Sequence, residues 1–300
     1  MKNVLAFDIG GSKLVVGIVD QTGNVVKSRK HMWGELNEKG VLGVVIRAGR
    51  EMLGKFDKEV NAIGVSIPGL CDPKKGVWVE SCFSGLANIP IREVLESELK
   101  LPAAIENDVN ACAIAEKMFG CCKQVSDFIW VTVSNGCGGA LFLGNALHSG
   151  YSGNAGEIGH VIVEEENGFV CGCGNKGCLE IQAAGPGIVR RYKAKSKDST
   201  SVTAADVAKR AREGDAAALE VYRDEGMYLG RAIAAAVNMV NPQKVVIGGG
   251  VSASFDLFAK ELHKTVSQRI YCRANKDLVI ETTALGYYAS LIGAASLALV

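Results

Sequence analysis

The chain has 300 residues, and short apolar runs rich in β-branched residues recur along it. Residues 4–9 (VLAFDI) and 14–19 (LVVGIV) predict the two strands of a hairpin with a glycine-rich bend between them. Residues 128–133 (FIWVTV) and 140–143 (ALFL) repeat this plan around a second glycine-rich segment. Because each copy opens a long half of the chain, the repetition predicts two similar α/β lobes.

Strand and helix periodicity accounts for much of the remaining chain. Further strands are predicted over 60–67 and 244–247, and helices over 91–100, 109–119, 203–213, 216–240 and 255–270. Residues 284–300 carry no charge and are rich in Ala, Gly and Ser. That composition favours a buried, closely packed helix over a membrane anchor.

The overall composition indicates a folded protein with a large core. Hydrophobic residues make up 48% of the chain and charged residues 22%, which is unlike a disordered chain. The formal net charge is +1 and no basic block stands out, so we expect no nucleic-acid partner. The first residues, MKNVLAFDIGG, lack the features of a secretion signal, and we therefore expect a cytoplasmic protein.

The chain contains ten cysteines, and three of them fall within residues 171–178. In the cytoplasm, clustered cysteines more often bind metal or react than form disulfides. The scattered cysteines are predicted to behave as small, semi-buried apolar residues. They are Cys71, Cys82, Cys112, Cys121, Cys122, Cys137 and Cys272.

The clustered cysteines, together with His160, form a set that is typical of a structural zinc site. Cys171, Cys173 and Cys178 supply three thiolates and His160 the fourth ligand, and glycines between them allow tight turns. A disulfide would leave one thiol over, and an iron–sulfur cluster usually requires four thiolates. Because protein side chains fill all four positions, the set favours a structural rather than a catalytic metal.

Three glycine-rich segments follow apolar strands and are candidates for binding phosphate. Asp8 closes the first strand and precedes residues 10–13 (GGSK), where backbone N–H groups, a hydroxyl and a cation could approach phosphate oxygens and Asp8 could hold Mg²⁺. A plain hairpin bend is the alternative interpretation of this segment. Residues 136–139 and the triple glycine at 248–250 could play the same part, so the three together suggest a bound nucleotide.

Residues 106–108 (END) stand between a predicted strand and a predicted helix. Asn107 or Asp108 could simply cap the helix. Alternatively, a carboxylate at this junction could act as a general base on a hydroxyl that attacks phosphorus, while Asn107 hydrogen-bonds a polyol. Glu157 and His160 also form a polar pair, and the glycines at 156 and 159 favour a loop over a helix there.

Taken together, these motifs resemble those of the ROK family of sugar kinases and repressors over essentially the whole chain. The similar segments are DIGGSK (8–13), SIPGLCD (66–72), ENDVNACAIAE (106–116), SNGCGG (134–139), AGEIGH (155–160), CGCGNKGCLE (171–180) and IGGGVS (247–252). The zinc motif combined with GEIGH carries most of the resemblance.

The resemblance implies a duplicated, actin-like (ribonuclease H-like) ATPase fold in which ATP and sugar occupy a cleft between two lobes. The smaller lobe would comprise residues 1–118, with a C-terminal helix over 287–300 returning to it. The larger lobe would comprise residues 119–286 and carry the zinc site. Family members are often homodimers or homotetramers.

The resemblance also implies a role for each matching residue. Asp108 would be the general base on a hexose hydroxyl, and His160 would contact both the sugar and the zinc. The sugar would be bound by Gly69, Asn107, Asp108, Glu157, His160 and Glu180. ATP and Mg²⁺ would be bound by Asp8, Gly10, Gly11, Ser12, Lys13, Asn135, Gly136, Gly138, Gly248, Gly249 and Gly250.

The expected activity is ATP-dependent phosphorylation of a hexose, as in glucokinases. Ser12 and Asn135 each stand where the family has threonine, and residues 80–91 only loosely match the Asn-Leu-Pro-Gly-Trp segment of glucokinases. N-acetylmannosamine, N-acetylglucosamine, fructose, allose or a β-glucoside are therefore alternative substrates. A non-catalytic, sugar-sensing regulator is the alternative of another class, although only seven residues precede Asp8, where family repressors carry a helix-turn-helix.

Overall fold

The computed structural model describes residues 2–81, 83–196, 200–271, 275 and 277–299. Its contacts divide the chain into two compact units. The first comprises Met1–Gln124, Ser149–Ala155 and Ala284–Val300, and the second comprises Val125–His148 and Gly156–Thr283. The smaller lobe was predicted to comprise residues 1–118 and 287–300. The first unit contains, in addition, residues 119–124, 149–155 and 284–286.

The first unit is built on a mixed sheet with strand order β3-β2-β1-β4-β8. Its elements are β1 (Asn3–Ile9), β2 (Lys13–Asp20), β3 (Val25–Met32), α1 (Glu38–Leu53), β4 (Ala62–Ile67), β5 (Leu70–Asp72), β6 (Val77–Glu80), β7 (Ala87–Ile89), α2 (Ile91–Leu99), β8 (Ala103–Asn107), α3 (Asp108–Met118) and α9 (Ala289–Ser296). β1, β2 and β3 are antiparallel neighbours, whereas β4 and β8 join in parallel. β5, β6 and β7 form a small separate sheet.

Strand β1 is buried on both faces, and its alternating residues enter two different cores. Leu5, Phe7 and Ile9 pack in the core that includes the apolar side of α1. Val4 and Ala6 pack on the opposite face against residues of α9. The close approach of α9 depends on Gly64 of β4, since a Cβ there would collide with the backbone carbonyl of Ala294.

The second unit repeats this plan in a sheet with strand order β11-β10-β9-β12-β13. Its elements are β9 (Phe128–Val133), β10 (Cys137–Leu143), β11 (Ala146–His148), α4 (Leu179–Ala183), α5 (Gly185–Ser196), α6 (Ala204–Arg212), α7 (Ala216–Val240), β12 (Lys244–Gly248), α8 (Phe255–Arg269) and β13 (Val279–Thr282). β9, β10 and β11 are antiparallel, and β12 and β13 join in parallel. The predicted duplication is confirmed, because the two sheets share one order and one pattern of strand direction.

The ends of two predicted elements are corrected by the structure. β10 begins at Cys137, so Gly138 and Gly139 lie in a strand, and the predicted second glycine loop shortens to residues 134–136. The predicted C-terminal helix over 287–300 is also too long. A single 3₁₀ turn over Gly286–Tyr288 precedes α9, which ends at Ser296.

Among the scattered cysteines, Cys112, Cys122 and Cys137 are buried, as predicted for small apolar residues. Cys71 and Cys121 are partly exposed. Cys82 and Cys272 lie outside the described residues. Across the part of the chain that the structure describes, no helix is long and apolar enough to cross a membrane.

Candidate active site and metal centre

Asp8 lies at the carboxyl end of β1 in the first unit, where two serines surround its carboxylate. The Ser290 hydroxyl donates to Asp8 Oδ1 at 2.6 Å. Ser66, the β4 residue paired with Asp8, has its hydroxyl 3.5 Å from the same oxygen and 3.1 Å from that of Ser290. Burial raises the pKa of the Asp8 carboxyl, although the hydrogen bond from Ser290 opposes this effect. A nearby cation would favour the ionised form that a magnesium site needs.

The bend that follows Asp8 is tight and has an aromatic neighbour. The Gly10 N–H donates to the carbonyl of Lys13 at 2.9 Å, and the Trp33 indole donates to the carbonyl of Gly10 at 2.8 Å. Phe83 stacks on Trp33 and lies against Gly11. Side chains of the same unit thus hold the bend, and its two glycines add no side chains of their own.

Lys13 has a partner that the sequence did not suggest. Its ammonium donates to the Tyr287 hydroxyl at 2.8 Å and lies 4.9 Å from the centre of the Tyr287 ring. The cation predicted to meet a phosphate is therefore oriented by the 3₁₀ turn before α9.

The junction of β8 and α3 resolves the question of which residue caps the helix. Asn107 is the N-cap, and its Oδ1 accepts from the N–H groups of Val109 at 2.9 Å and Asn110 at 3.2 Å. Asp108 is the first helical residue, and its Oδ1 accepts from the Val109 N–H at 3.1 Å. The carboxylate of Asp108 thus lies in the first turn of the helix, beside its N-terminal N–H groups.

Gly69 and Glu106 hold Asn107 in place. The Asn107 amide donates through Nδ2 to the carbonyl of Gly69 at 3.1 Å. Gly69 has a φ of 89°, a conformation that only glycine adopts without strain. Glu106 Oε1 accepts from the Asn107 N–H at 2.8 Å and from Asn110 Nδ2 at 3.1 Å. The polar groups around Asp108 therefore form one connected network within the first unit.

In the second unit, Glu157 precedes and His160 ends a single 3₁₀ turn over Ile158–His160, consistent with the expectation that no regular helix forms there. Ile158 and Gly159 are buried against β10, and a Cβ at Gly159 would collide with the carbonyl of Cys137. The polar side chains of Glu157 and His160 are exposed. The turn thus presents both polar groups while its apolar and glycine residues fix it to the sheet.

Glu180 lies on α4 and reaches the start of β10. Its Oε2 accepts from the Cys137 N–H at 3.1 Å. Gly136 leaves room for this carboxylate, because a Cβ there would lie 2.6 Å from the same oxygen. Glu180 and the shortened glycine loop over 134–136 are therefore neighbours.

The triple glycine begins with Gly248, the last residue of β12, and lies beside the same loop. Gly249 has a φ of 85°, and a Cβ there would lie 2.9 Å from the Thr132 hydroxyl. A Cβ at Gly250 would lie 3.8 Å from the Ser134 hydroxyl. Two of the three predicted phosphate segments thus meet at the carboxyl ends of β9 and β12, and the third, over 10–13, belongs to the first unit.

The ligand atoms of the predicted metal site all lie within 4.8 Å of one another, and the group comprises His160, Cys171, Cys173 and Cys178. Cys171 Sγ lies 3.8 Å from His160 Nδ1, and Cys173 Sγ lies 3.6 Å from Cys178 Sγ. Tetrahedral zinc with bonds of about 2.0–2.3 Å separates its ligand atoms by about 3.5–3.8 Å. A disulfide requires sulfurs about 2 Å apart. The donor set and both distances therefore fit zinc.

The loop that carries the cysteines is folded by its own backbone. The Cys171 N–H donates to the carbonyl of Asn175 at 2.8 Å, and the Val163 N–H donates to that of Gly177 at 2.8 Å. The backbone N–H of Asn175 is the main influence that lowers the pKa of Cys173 to about 7, whereas burial raises that of Cys178 to about 12. The fold thus brings together thiols that a dication would bind as thiolates.

A buried ion pair beneath α4 was not anticipated from the sequence. Arg191 on α5 donates through Nε to the carbonyl of Gln182 at 3.1 Å and pairs with the buried carboxylate of Glu225 on α7. Burial raises the pKa of Glu225 to about 8, although Arg191 opposes the shift. The spacing of these residues does not predict a buried ion pair, because isolated charges in helices usually face solvent. The pair ties the helix that bears Glu180 to the core.

Comparison with known proteins gives a consistent result. Residues 4–300 match the family model described as the ROK family. A glucokinase from Halalkalibacterium halodurans is 32% identical over 307 residues, which cover 95% of this chain and 92% of that protein. A xylose repressor from Bacillus subtilis is 30% identical over 235 residues, which cover 78% of this chain and 60% of the repressor.

Among solved structures, a ROK family glucokinase from Streptomyces griseus in complex with glucose and AMPPNP is similar, with a TM-score of 0.88 and 28% identity. The similarity covers 98% of each chain. Together with the repeated sheets, it shows the duplicated, actin-like α/β fold that the sequence predicted.

Proposed function

Because the chain belongs to the ROK family, we propose that it is an ATP- and Mg²⁺-dependent sugar kinase that phosphorylates a hexose hydroxyl. The glucokinase relatives favour glucose as the first substrate to test. The alternatives are N-acetylmannosamine, N-acetylglucosamine, fructose, allose and β-glucosides, since residues 80–91 depart from the glucokinase pattern.

The observation that carries this proposal is the arrangement at the start of α3. Asn107 is the N-cap, so the next residue, Asp108, is the first helical residue and places a carboxylate at the strand–helix junction. In the proposed reaction, Asp108 accepts the proton of the sugar hydroxyl as its oxygen forms a bond to the γ-phosphorus of ATP. The bond between that phosphorus and the bridging oxygen breaks, and ADP leaves with the electron pair.

The proposed sugar ligands are Gly69, Asn107 and Asp108 in the first unit and Glu157, His160 and Glu180 in the second. Carboxylates accept hydrogen bonds from hydroxyls, and the Asn107 amide can both donate and accept. The Cys137 N–H fixes one oxygen of Glu180, which leaves the other oxygen as the one to accept from a sugar hydroxyl.

ATP is proposed to contact the three glycine-rich segments. Lys13 offers a cation, Gly11 and Ser12 offer backbone N–H groups, and Ser12 also offers a hydroxyl, while the Gly10 N–H closes the bend on the Lys13 carbonyl. In the second unit, Asn135 offers a polar side chain, and Gly136 and Gly248–Gly250 offer backbone without side chains. Gly138 lies within β10, where it pairs with Thr132, so its part in this set rests on the resemblance alone. Asp8 is proposed to hold Mg²⁺, directly or through water.

Zinc is proposed as a structural ion held by the three cysteines and His160. His160 faces the cysteines through Nδ1, so its Nε2 is the nitrogen that would contact the sugar. The metal would fix the orientation of the imidazole and join the GEIGH turn to the cysteine loop, and it takes no part in phosphate transfer.

A sugar-sensing regulator without catalysis is the second candidate. It is favoured by the xylose repressor, which is about as similar to the chain as the glucokinases are. The two candidates make different predictions for a purified protein, because a sensor binds sugar without turnover.

A coupled ADP-release assay with Mg²⁺, ATP and each candidate sugar tests the proposal. We expect release with one hexose well above the rate without sugar. Calorimetric sugar binding without ADP release from any sugar would instead identify a sensor. Replacing ATP by polyphosphate in the same assay tests the phosphate donor, and sedimentation tests the expectation of a homodimer or homotetramer.

A further inference from the structure

The strand β3 carries an ordered set of basic side chains on one face. Lys27, Arg29 and His31 pair across the sheet with Ile18, Val16 and Leu14 of β2. Those three apolar residues belong to the core on the side of α1. Because paired residues of neighbouring strands point to the same face, the basic side chains of β3 also face α1.

A second charged row runs along the side of α1 that meets β3, where Arg47 and Glu51 lie four residues apart, and it continues with Lys55 just after the helix ends. The two rows run side by side. Lys27 donates to the backbone carbonyl of Lys55 at 2.7 Å, and Arg29 pairs with Glu51 at 3.0 Å. Arg47 acts on His31 through space.

A cavity of about 190 Å³ lies between these rows, and we name it the β3–α1 cleft. Its walls include Lys27, Arg29, His31, Glu51 and Lys55, and its apolar part is formed by Ala48 and Met52. Three permanent cations, Lys27, Arg29 and Lys55, line it together with one carboxylate, that of Glu51. Like charges gathered on facing elements repel each other, and a bound anion would relieve that repulsion.

His31 adds an independent observation. Its Nε2 is buried and has no hydrogen-bond partner among the described residues. A buried polar atom without a partner costs free energy, and an anionic oxygen in the cleft would supply an acceptor. Burial is the main cause that lowers the pKa of His31, and Arg29 and Arg47 add to it while Glu51 opposes it.

We propose that the β3–α1 cleft is a binding site for a small phosphate dianion, either inorganic phosphate or the phosphate group of a phosphorylated metabolite. The cations supply charge-assisted hydrogen bonds, and a dianion balances their excess charge better than a monoanion does. The cleft lies entirely within the first unit and contains none of the residues proposed for catalysis.

The test is a phosphate titration of the 300-residue protein. It is monitored by NMR through the imidazole nitrogen resonances of the four histidines. The resonances of His31 are assigned with His31→Gln. We expect a saturable shift of the His31 resonances and a higher His31 pKa in the presence of phosphate, because the bound dianion favours the imidazolium. Reading the signal at His31 separates this site from phosphate that binds elsewhere.

Arg29→Gln and Lys55→Gln should each weaken phosphate binding about tenfold, the effect of losing one charged hydrogen bond. Lys30→Gln is the matched control, since Lys30 pairs with Val15 and faces the other side of the sheet. It removes the same charge from the same strand and should leave binding unchanged. Thermal unfolding of each variant establishes that the fold is retained.

Inorganic phosphate and hexose phosphates are compared to identify the source of the ligand. Equal affinity indicates free phosphate, and tighter binding of a hexose phosphate indicates a metabolite whose body contacts Ala48 and Met52. The site is refuted if His31 does not respond, if sodium chloride of equal ionic strength gives the same shift, or if Lys30→Gln weakens binding as much as Arg29→Gln.

Discussion

At the scale of single residues, Asp8 shows how a side chain suited to metal binding can weaken the fold that carries it. Its carboxylate is held by Ser290 and Ser66 in a place where burial raises its pKa. A carboxyl with a raised pKa binds its proton more tightly in the folded state than in the unfolded state. Stability therefore falls as the pH rises above the ordinary pKa of aspartate, because the folded protein must ionise a buried group.

Asp8→Asn should raise the thermal unfolding temperature at pH 7, since it removes this cost. The gain should shrink towards pH 4, where the wild-type carboxyl takes up a proton. If Asp8 serves Mg²⁺, the same variant should weaken apparent Mg²⁺ affinity in the kinase assay by about 10- to 100-fold. A variant that is less stable at pH 7 would contradict this account of Asp8.

The glycines of the cysteine loop allow a matched comparison. Gly174 and Gly177 have φ values of 92° and 80°, so alanine at either position adds a strain of about 1–2 kcal/mol. The Cβ at residue 174 would meet open space, whereas at 177 it would collide with the backbone of Glu164. Gly177→Ala should therefore lose bound zinc and thermal stability, and Gly174→Ala should retain most of both. Metal analysis and calorimetry measure the two losses. Equal losses in the two variants would show that the backbone shifts to relieve the collision, and would contradict the prediction.

At the scale of elements, the sequence predicts best where apolar periodicity and end signals agree. β9 and α7 have the predicted bounds, and α7 starts at a side-chain cap, Asp215. The edge strand β3 was not predicted, because its polar and basic residues hide the alternation of a buried strand. α1 was not predicted either. The C-terminal helix was extended too far because its apolar composition carries no stop signal after Ser296.

The cap of α3 can be separated from the catalytic role of the next residue. Asn107→Ala removes the acceptor for two helix N–H groups and should cost about 1 kcal/mol. Asn107→Asp keeps the acceptor but loses the donor to Gly69, so it should retain more stability while sugar affinity still falls. Thermal unfolding and sugar KM measure the two effects. Equal destabilisation by both variants would show that Oδ1 does not act as the cap.

At the scale of the whole molecule, each of the two units, which share one strand plan, carries residues proposed for sugar binding. The first carries Asn107 and Asp108, and the second carries Glu157, His160, Glu180 and the metal cluster. The resemblance of their motifs to those of the ROK family was enough to propose these residues. Contacts such as Asp8 with Ser290, or Glu180 with the Cys137 N–H, could not be predicted, because they join residues far apart in the chain.

Removing zinc should weaken both the fold of the second unit and sugar binding, because His160 is proposed as a ligand of both the metal and the sugar. We expect chelation or Cys173→Ser to lower the thermal unfolding temperature and raise the sugar KM, with the ATP KM little changed. Cys121→Ser is the control, since it alters a cysteine that bonds Glu116 outside the cluster. Zinc loss with an unchanged sugar KM would refute the coupling.

The central claim is that Asp108 is the general base of a sugar kinase, and Asp108→Asn tests it most directly. The substitution keeps the shape of the side chain and a hydrogen-bond acceptor for Val109, but it removes the group that takes the proton. The kcat for ADP release, with the sugar identified by the screen, should fall by about 10²- to 10⁴-fold. Calorimetric sugar affinity and thermal stability should change little. A kcat close to that of the wild type in a folded, sugar-binding variant would contradict the account.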